Sequence, residues 1–468
     1  MAGDESNGTG HGLSVQAPLQ PELVEGMAHE NPIVTDVGAG NGATDQEPAT
    51  AAVLAARLRH LSLSAQTIHA DDFLNSHQSV APPMHVSTTF RYNDDPDELR
   101  PWANINPNNP YDSHVYSRDT APNTTRLEAV LTSILHGPSL TYSSGLSAFH
   151  ALLVFLNPKR VAIGGGYHGC HGVIQVLSKL TGLQTVDLLD PDFDAALQPG
   201  DVVHVETPLN PTGEARDLAF YAERAHRRGC YLTVDATFAP PPLLEPFRWG
   251  ADVIMHSGTK YFGGHSDMLC GVLAVHPKHA GTWIRGLREE RLVLGSVMGS
   301  FEGWLGVRSL RTLEVRVRKQ SADAAALVAW LEASRKEEDA PSSVVSETVA
   351  EVRHASLQVT EKGEREEWLK EQMPNGFGPV FAVYMRDADL ARRLPSKLAL
   401  FHHATSLGGV ESLVEWRAMT DAGVDRRLLR FSVGLEGFED LRDDLVQGFE
   451  ALRAERAAKG AGAAVVAG

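Results

Sequence analysis

The stretch HSGTKYFGGHSD, residues 256–267, sets one lysine, Lys260, among hydroxyls and glycines directly after the apolar run ADVIM. An amine withdrawn from water and surrounded by hydrogen-bond donors has a lowered pKa and becomes a nucleophile towards an aldehyde. Ser257 and Thr259 flank it with hydroxyls that can bind a phosphate. LTYSSG ends at Gly145 and opens a helical pattern, so the free amides and positive dipole end of a helix N-terminus can serve the same phosphate. YLTVDAT carries Asp235 at its end, an acid able to hold a pyridinium nitrogen protonated. Tyr167 in YHGC can stack on a ring face, and DVVHVETPLN ends in Glu206 and Asn210. Phosphate, aldehyde and pyridinium together describe pyridoxal phosphate, whose ring is an electron sink. Singly, each group has an ordinary reading: a surface lysine, a capping aspartate, a serine turn, a packed tyrosine. Jointly, four strand ends supply complementary chemistry.

A rival lies in the same region. VAIGGGYHG matches G-x-G-x-x-G through Gly164, Gly166 and Gly169, with Asp187 and Asp190 about 20 residues on. That pattern would serve an NAD-dependent dehydrogenase, but it leaves Lys260 and Asp235 without a task.

The elements that must position these groups alternate. LTYSSG leads into LSAFHALLVFL, RVAIGGG into CHGVIQVLSKL, and DVVHVETP through a loop into DLAFYAERAHRRG; YLTVDAT, ADVIMHSG and MLCGVLAVH follow. Apolar runs separated by helical stretches indicate an α/β domain on a mostly parallel sheet, which binds ligands at the carboxyl ends of its strands. From 300 to 334 the pattern becomes long and helical. Beyond it FGPVFAVYM, LLRFSVG and GFEDLRDDLVQGFEALRAERA suggest a smaller α+β domain. Residues 79–92 read as extended and 94–112 as loop. The expected organisation is a disordered acidic tail over 1–65, with a possible short helix in 48–64, an N-terminal arm over 66–125, a large domain over 126–310, a small domain over 311–456 and a flexible tail over 457–468.

The chain has 468 residues and a net charge of −17, against a uniformly basic nucleic-acid surface. No apolar run reaches the roughly 20 residues a bilayer span requires, and the polar start does not resemble a secretory signal, so a cytoplasmic setting is expected. Cys170, Cys230 and Cys270 are too far apart for a zinc pair, and no metal is expected.

The segments VDATFAPPPLLEPFRWGADVIMHSGTKYFGGHSDMLCGVL, SLGGVESL and LRFSVGLEGFEDL resemble the Cys/Met-metabolism PLP enzymes, the trans-sulfuration family, over roughly residues 66–452. The resemblance implies the aspartate-aminotransferase-type (type I) PLP fold, usually a dimer of dimers, acting on small amino-acid substrates. It implies that Lys260 binds the cofactor aldehyde as a Schiff base and later moves protons, that Asp235 pairs with the pyridinium, and that Ser257, Thr259 and the backbone of Gly145 and Leu146 hold the phosphate. Tyr116 and Arg118 in VYSR would reach the phosphate of a neighbouring subunit. Tyr167 would stack on the ring and assist as acid or base, and Asn210 would lie near the cofactor and substrate. Ser406 would position the substrate and Lys260, and Arg430 would clamp the amino-acid carboxylate, a bidentate task suited to arginine. The implied chemistry is cystathionine γ-synthase-like replacement on an activated homoserine; the alternative is elimination by a cystathionine β- or γ-lyase. The chain departs from the family pattern at Thr405, where γ-acting members usually carry Glu, at Ala236, at YHGC, in YSRDTAPNTTRLE and in EWRAMTD, a segment that usually carries histidines.

Overall fold

Alternation of apolar runs and helices yields the expected α/β layering. The computed structural model describes residues 61–75, 79–101, 104, 114–336, 344–359 and 366–466, with side chains as far as 458. Residues 1–60, most of the expected acidic tail, and parts of the 94–112 loop lie outside the described residues.

The first sheet holds β1 (Ser139–Tyr142), β2 (Arg160–Ile163), β3 (Gln184–Asp187), β4 (Val202–Glu206), β5 (Tyr231–Asp235), β6 (Val253–Ser257) and β7 (Gly271–Val275), in the order β1-β7-β6-β5-β4-β2-β3. The pairings from β3 through β2, β4 and β5 to β6 are parallel, while β7 runs antiparallel to both β6 and β1. One face is covered by helices Gly145–Leu156, His168–Thr181 and Ala280–Leu294, through Phe149, Leu152, Ile174 and Leu287. The other is covered by Pro122–Ile134, Leu218–Arg227 and Ser300–Leu310, through Leu131, Leu218 and Leu310.

The second sheet holds β8 (Val349–Arg353), β9 (Val380–Met385), β10 (His402–His403), β11 (Leu413–Trp416) and β12 (Leu428–Ser432), in the order β10-β11-β12-β9-β8. The helix Leu313–Lys336 spans both cores: Leu313 and Val317 pack with the first sheet, whereas Ala324, Leu327 and Leu331 pack with the second. The closing helix runs Phe438–Val466 and so takes in residues 457–466 of the segment expected as a flexible tail over 457–468.

β3, β8, β10 and β11 carry no long apolar run and were not expected as strands. β3 is an edge strand with mostly exposed residues, so it lacks the buried pattern that marks β4 to β7.

Candidate active site

Because β4, β5 and β6 are parallel, their last residues share one edge of the sheet. Glu206 and Asp235 stand directly opposite each other in register, and Ser257 ends the next strand. A cavity of about 740 Å³ opens on this edge. Gly145, Leu146, Tyr167, Asn210, Asp235, Ser257, Thr259, Lys260, Ser406 and Arg430 all line it. Ten of the twelve expected site residues are thus brought together. Tyr116 and Arg118 are not among its lining: Tyr116 pairs with Thr89 in an isolated bridge, is half exposed, and carries the Arg118 guanidinium 5.4 Å from its ring centre.

At one end the helix starting at Gly145 is capped by Ser144, whose side chain accepts from the Ser147 amide at 3.1 Å. A Cβ on Gly145 would lie 3.1 Å from Ser257 Cβ and 3.2 Å from its Oγ, so the helix start meets Ser257 more closely than a larger residue allows. Thr259 Oγ1 accepts from the Cys270 amide at 3.0 Å, which fixes the side chain beside Lys260.

In the middle, Asp235 is buried, and its Oδ1 accepts from the Thr237 amide at 3.0 Å and hydroxyl at 2.5 Å. Burial holds its pKa above the usual carboxylate range, with the Thr237 bonds opposing, and no cation contributes. Glu206 accepts from the amides of Tyr167 at 2.8 Å and Asn210 at 2.6 Å, yet burial and the facing Asp235 push its pKa up to about 8. Arg216 offsets part of the charge on Glu206, whereas buried Asp235 has no such cation; a pyridinium N–H at Asp235 would supply that match. Tyr167 precedes the helix His168–Thr181, and its hydroxyl pKa is raised chiefly by burial.

At the other end, Lys260 Nζ donates to Ser406 Oγ at 2.7 Å. Burial, then the Arg430 cation, lower the lysine pKa to about 8, against a smaller opposing effect of Glu415. Ser406 is a non-glycine residue at φ 82°, a costly backbone held by its surroundings: its carbonyl accepts from Arg430 Nη2 at 2.8 Å. Gly408 follows at φ 80°, where a Cβ would meet the backbone of Tyr261 and Lys260 at 3.0–3.1 Å. Two residues of the long helix brace this corner. Arg316 Nη1 donates to Tyr261 O at 2.9 Å, and Gln320 Nε2 to Gly409 O at 2.6 Å.

Arg430, on β12, donates Nη1 to Asn210 Oδ1 at 3.0 Å and pairs through Nη2 with Glu415 at 2.6 Å; burial lowers its pKa to about 10. Glu415, Arg417 and Thr420, from EWRAMTD, also line the cavity, as do His168, Thr237 and Thr405. Thr405 and the segments YHGC and EWRAMTD were marked only as departures from the family pattern, with no site role given to these residues, and Thr237 was not singled out. Two opposite charges inside the otherwise apolar run LVEWRAM are the signal that points to Glu415 and Arg417.

A phosphate cradle at a helix start, a buried acid without a cation and a lysine with a depressed pKa fit pyridoxal phosphate at its three corners. The family profile described as Cys/Met metabolism PLP-dependent enzyme matches residues 64–450. The chain belongs to this family. It is a PLP-dependent enzyme of sulfur amino-acid metabolism with the type I fold. It is similar to a cystathionine gamma-lyase of Saccharomyces cerevisiae, 31% identical over 405 residues, covering 82% of this chain and 96% of the relative. It is also similar to a cystathionine gamma-synthase of Escherichia coli K12, 31% identical over 395 residues, covering 80% and 93%. A solved structure, metB from Corynebacterium glutamicum, superposes with a TM-score of 0.73 at 28% identity, covering 84% of this chain and 99% of that one.

The dinucleotide reading of Gly164, Gly166 and Gly169 is corrected by the family and by the local packing. A Cβ on Gly166, at φ 143°, would sit 2.5 Å from Glu206 Oε2, so this turn closes over a carboxylate where a dinucleotide would need room for its pyrophosphate. Among the described residues, no helix is long and apolar enough to cross a membrane.

Proposed function

We propose that the enzyme is cystathionine γ-synthase-like: it replaces the leaving group of an activated homoserine with a thiol. The observation that carries the amino-acid chemistry is the chain Lys260–Ser406–Arg430, and the likeness to the Escherichia coli cystathionine gamma-synthase supports replacement. These three residues set a basic amine beside an arginine suited to an amino-acid carboxylate, which directs the amine to the proton on the adjoining carbon. Gly145, Leu146, Ser257 and Thr259 would hold the cofactor phosphate and Asp235 its ring nitrogen. Pyridoxal phosphate bound there supplies an electron sink for the substrate's α-carbon. Lys260 Nζ then takes and returns protons, and Ser406 Oγ holds that amine in line. Tyr167 covers the ring face and is a second proton carrier. Arg430 and Asn210 orient the substrate carboxylate.

Tyr116 and Arg118, with the 66–125 arm, would complete the phosphate site of a neighbouring subunit. The working enzyme is then at least a dimer, and we place it in the cytoplasm. A second reading, elimination by a cystathionine β- or γ-lyase, is favoured by the likeness to the yeast lyase. A substrate panel separates them. Acyl-homoserine with cysteine yielding cystathionine supports replacement; homocysteine or cysteine from cystathionine supports β- or γ-elimination respectively. Absence of turnover on every member would overturn both.

A further inference from the structure

The arginine expected to receive the substrate carboxylate already holds one. Glu415 Oε2 sits 2.6 Å from Arg430 Nη2, at the same guanidinium that faces Asn210 and Ser406. Glu415 has two further partners. Arg417 Nη1 reaches Oε2 at 3.0 Å and Oε1 at 3.2 Å, and the Thr420 hydroxyl donates to Oε1 at 2.8 Å. All four side chains line the cavity, and Glu415, Arg417 and Arg430 are buried. One carboxylate therefore bridges two guanidiniums, leaving a surplus of one positive charge. Arg417 also has spare capacity: its Nε is buried and has no hydrogen-bond partner. A buried unpaired donor is costly and calls for an acceptor.

We propose that Glu415 is an internal stand-in for the substrate's carboxylate, and that Arg417 and Thr420 are positioning residues that take it over when an amino acid binds. The incoming carboxylate displaces Glu415 from Arg430. Glu415 stays ion-paired to Arg417 and hydrogen-bonded to Thr420, and the surplus positive charge is neutralised. Without Arg417 the displaced carboxylate would be buried and unpaired, a strongly unfavourable state. The exchange also sets a selection rule: a ligand without a carboxylate cannot displace Glu415. The ligand class is the α-amino acid with a free carboxylate. The proposal rests on the reading of Arg430 as the carboxylate anchor.

The test is equilibrium binding of L-alanine, which lacks a leaving group, to the holoenzyme, followed by the visible absorbance of the bound cofactor. L-Alaninamide serves as the control without a carboxylate. Arg417→Met should weaken L-alanine by tenfold or more, Glu415→Gln should tighten it a few-fold, and the double variant should bind at least as tightly as wild type, because without the Glu415 charge no displaced carboxylate is left for Arg417 to hold. Arg417→Lys should recover most of the loss. L-Alaninamide affinity should hold within about twofold throughout, which a merely structural role for Arg417 would not give. Additive effects in the double variant, or equal loss of amino acid and amide, would overturn the proposal. Arg430→Gln keeps the underlying reading separate. If it leaves L-alanine affinity unchanged, Arg430 is not the anchor and that reading falls. If it weakens binding while Arg417→Met and Glu415→Gln change nothing, only the exchange is refuted.

Discussion

The reactivity of Lys260 is the most direct consequence of its surroundings. An ordinary lysine at pH 7 is roughly 0.03% neutral, whereas an amine with pKa about 8 is about 9% neutral, a gain of about 300-fold in the nucleophilic form. Burial is the leading cause and the Arg430 cation the second. Enzyme stripped of cofactor should therefore capture added pyridoxal phosphate with a rate that rises about tenfold per pH unit up to about pH 8 and then levels. Running N-α-acetyl-lysine alongside cancels the ionisations of the reagent itself. Arg430→Gln should move the midpoint upward, because it removes a cation while leaving Glu415 to favour the protonated amine. A wild-type midpoint at or above pH 10 would refute the assignment of burial as the cause. An unmoved midpoint in the Arg430 variant would refute the electrostatic link between the two residues.

Three more outcomes follow from the geometry. Gly145→Val places a branched side chain against Ser257, where even a Cβ would be at 3.1 Å, and should cut cofactor affinity at least tenfold in equilibrium dialysis while the fold persists by circular dichroism. Asp235→Asn removes the carboxylate that matches the ring nitrogen; it should lower turnover by a hundredfold or more with little change in folding, and near-normal turnover would sink the assignment. For Glu206 the sign is that of an acid whose folded pKa, about 8, exceeds its unfolded value of 4.5. The folded state then binds more protons between these values, so stability falls as pH rises from about 4.5 to 8. In the cofactor-free enzyme Glu206→Gln should flatten that slope in denaturant titrations at pH 5 and 8; an unchanged slope would refute it.

The large sheet and the groups at its strand ends were legible because parallel strands buried on both faces announce themselves as apolar runs ending in polar residues. Asp235, Ser257 and Lys260 are each such an ending. The second half of the cavity was harder. Ser406 and Arg430 were placed by resemblance to a family, since SLGG and LLRFSVG show no chemistry on their own. The pairing of Glu415 with Arg430 was missed because it is remote: it needs β11 beside β12, and nothing local reveals that register, whereas the Glu415–Arg417 pair is local and shows only as two charges in an apolar run. Thr237 was missed although D-A-T is a short-range turn in which the threonine bonds the preceding acid. β3 and the two-residue β10 have too little buried surface to leave a pattern.

Arg316 and Gln320 lie one helical turn apart, and each grips a different strap, one from the lysine segment and one from the serine loop. The two straps that carry amine and hydroxyl are therefore both tied to one rigid helix, at points four residues or about 6 Å apart. Such a tie lets the cavity walls drift in evolution. Lining residues such as Thr405 and His168 can be exchanged to suit a new substrate while the proton-handling pair keeps its separation.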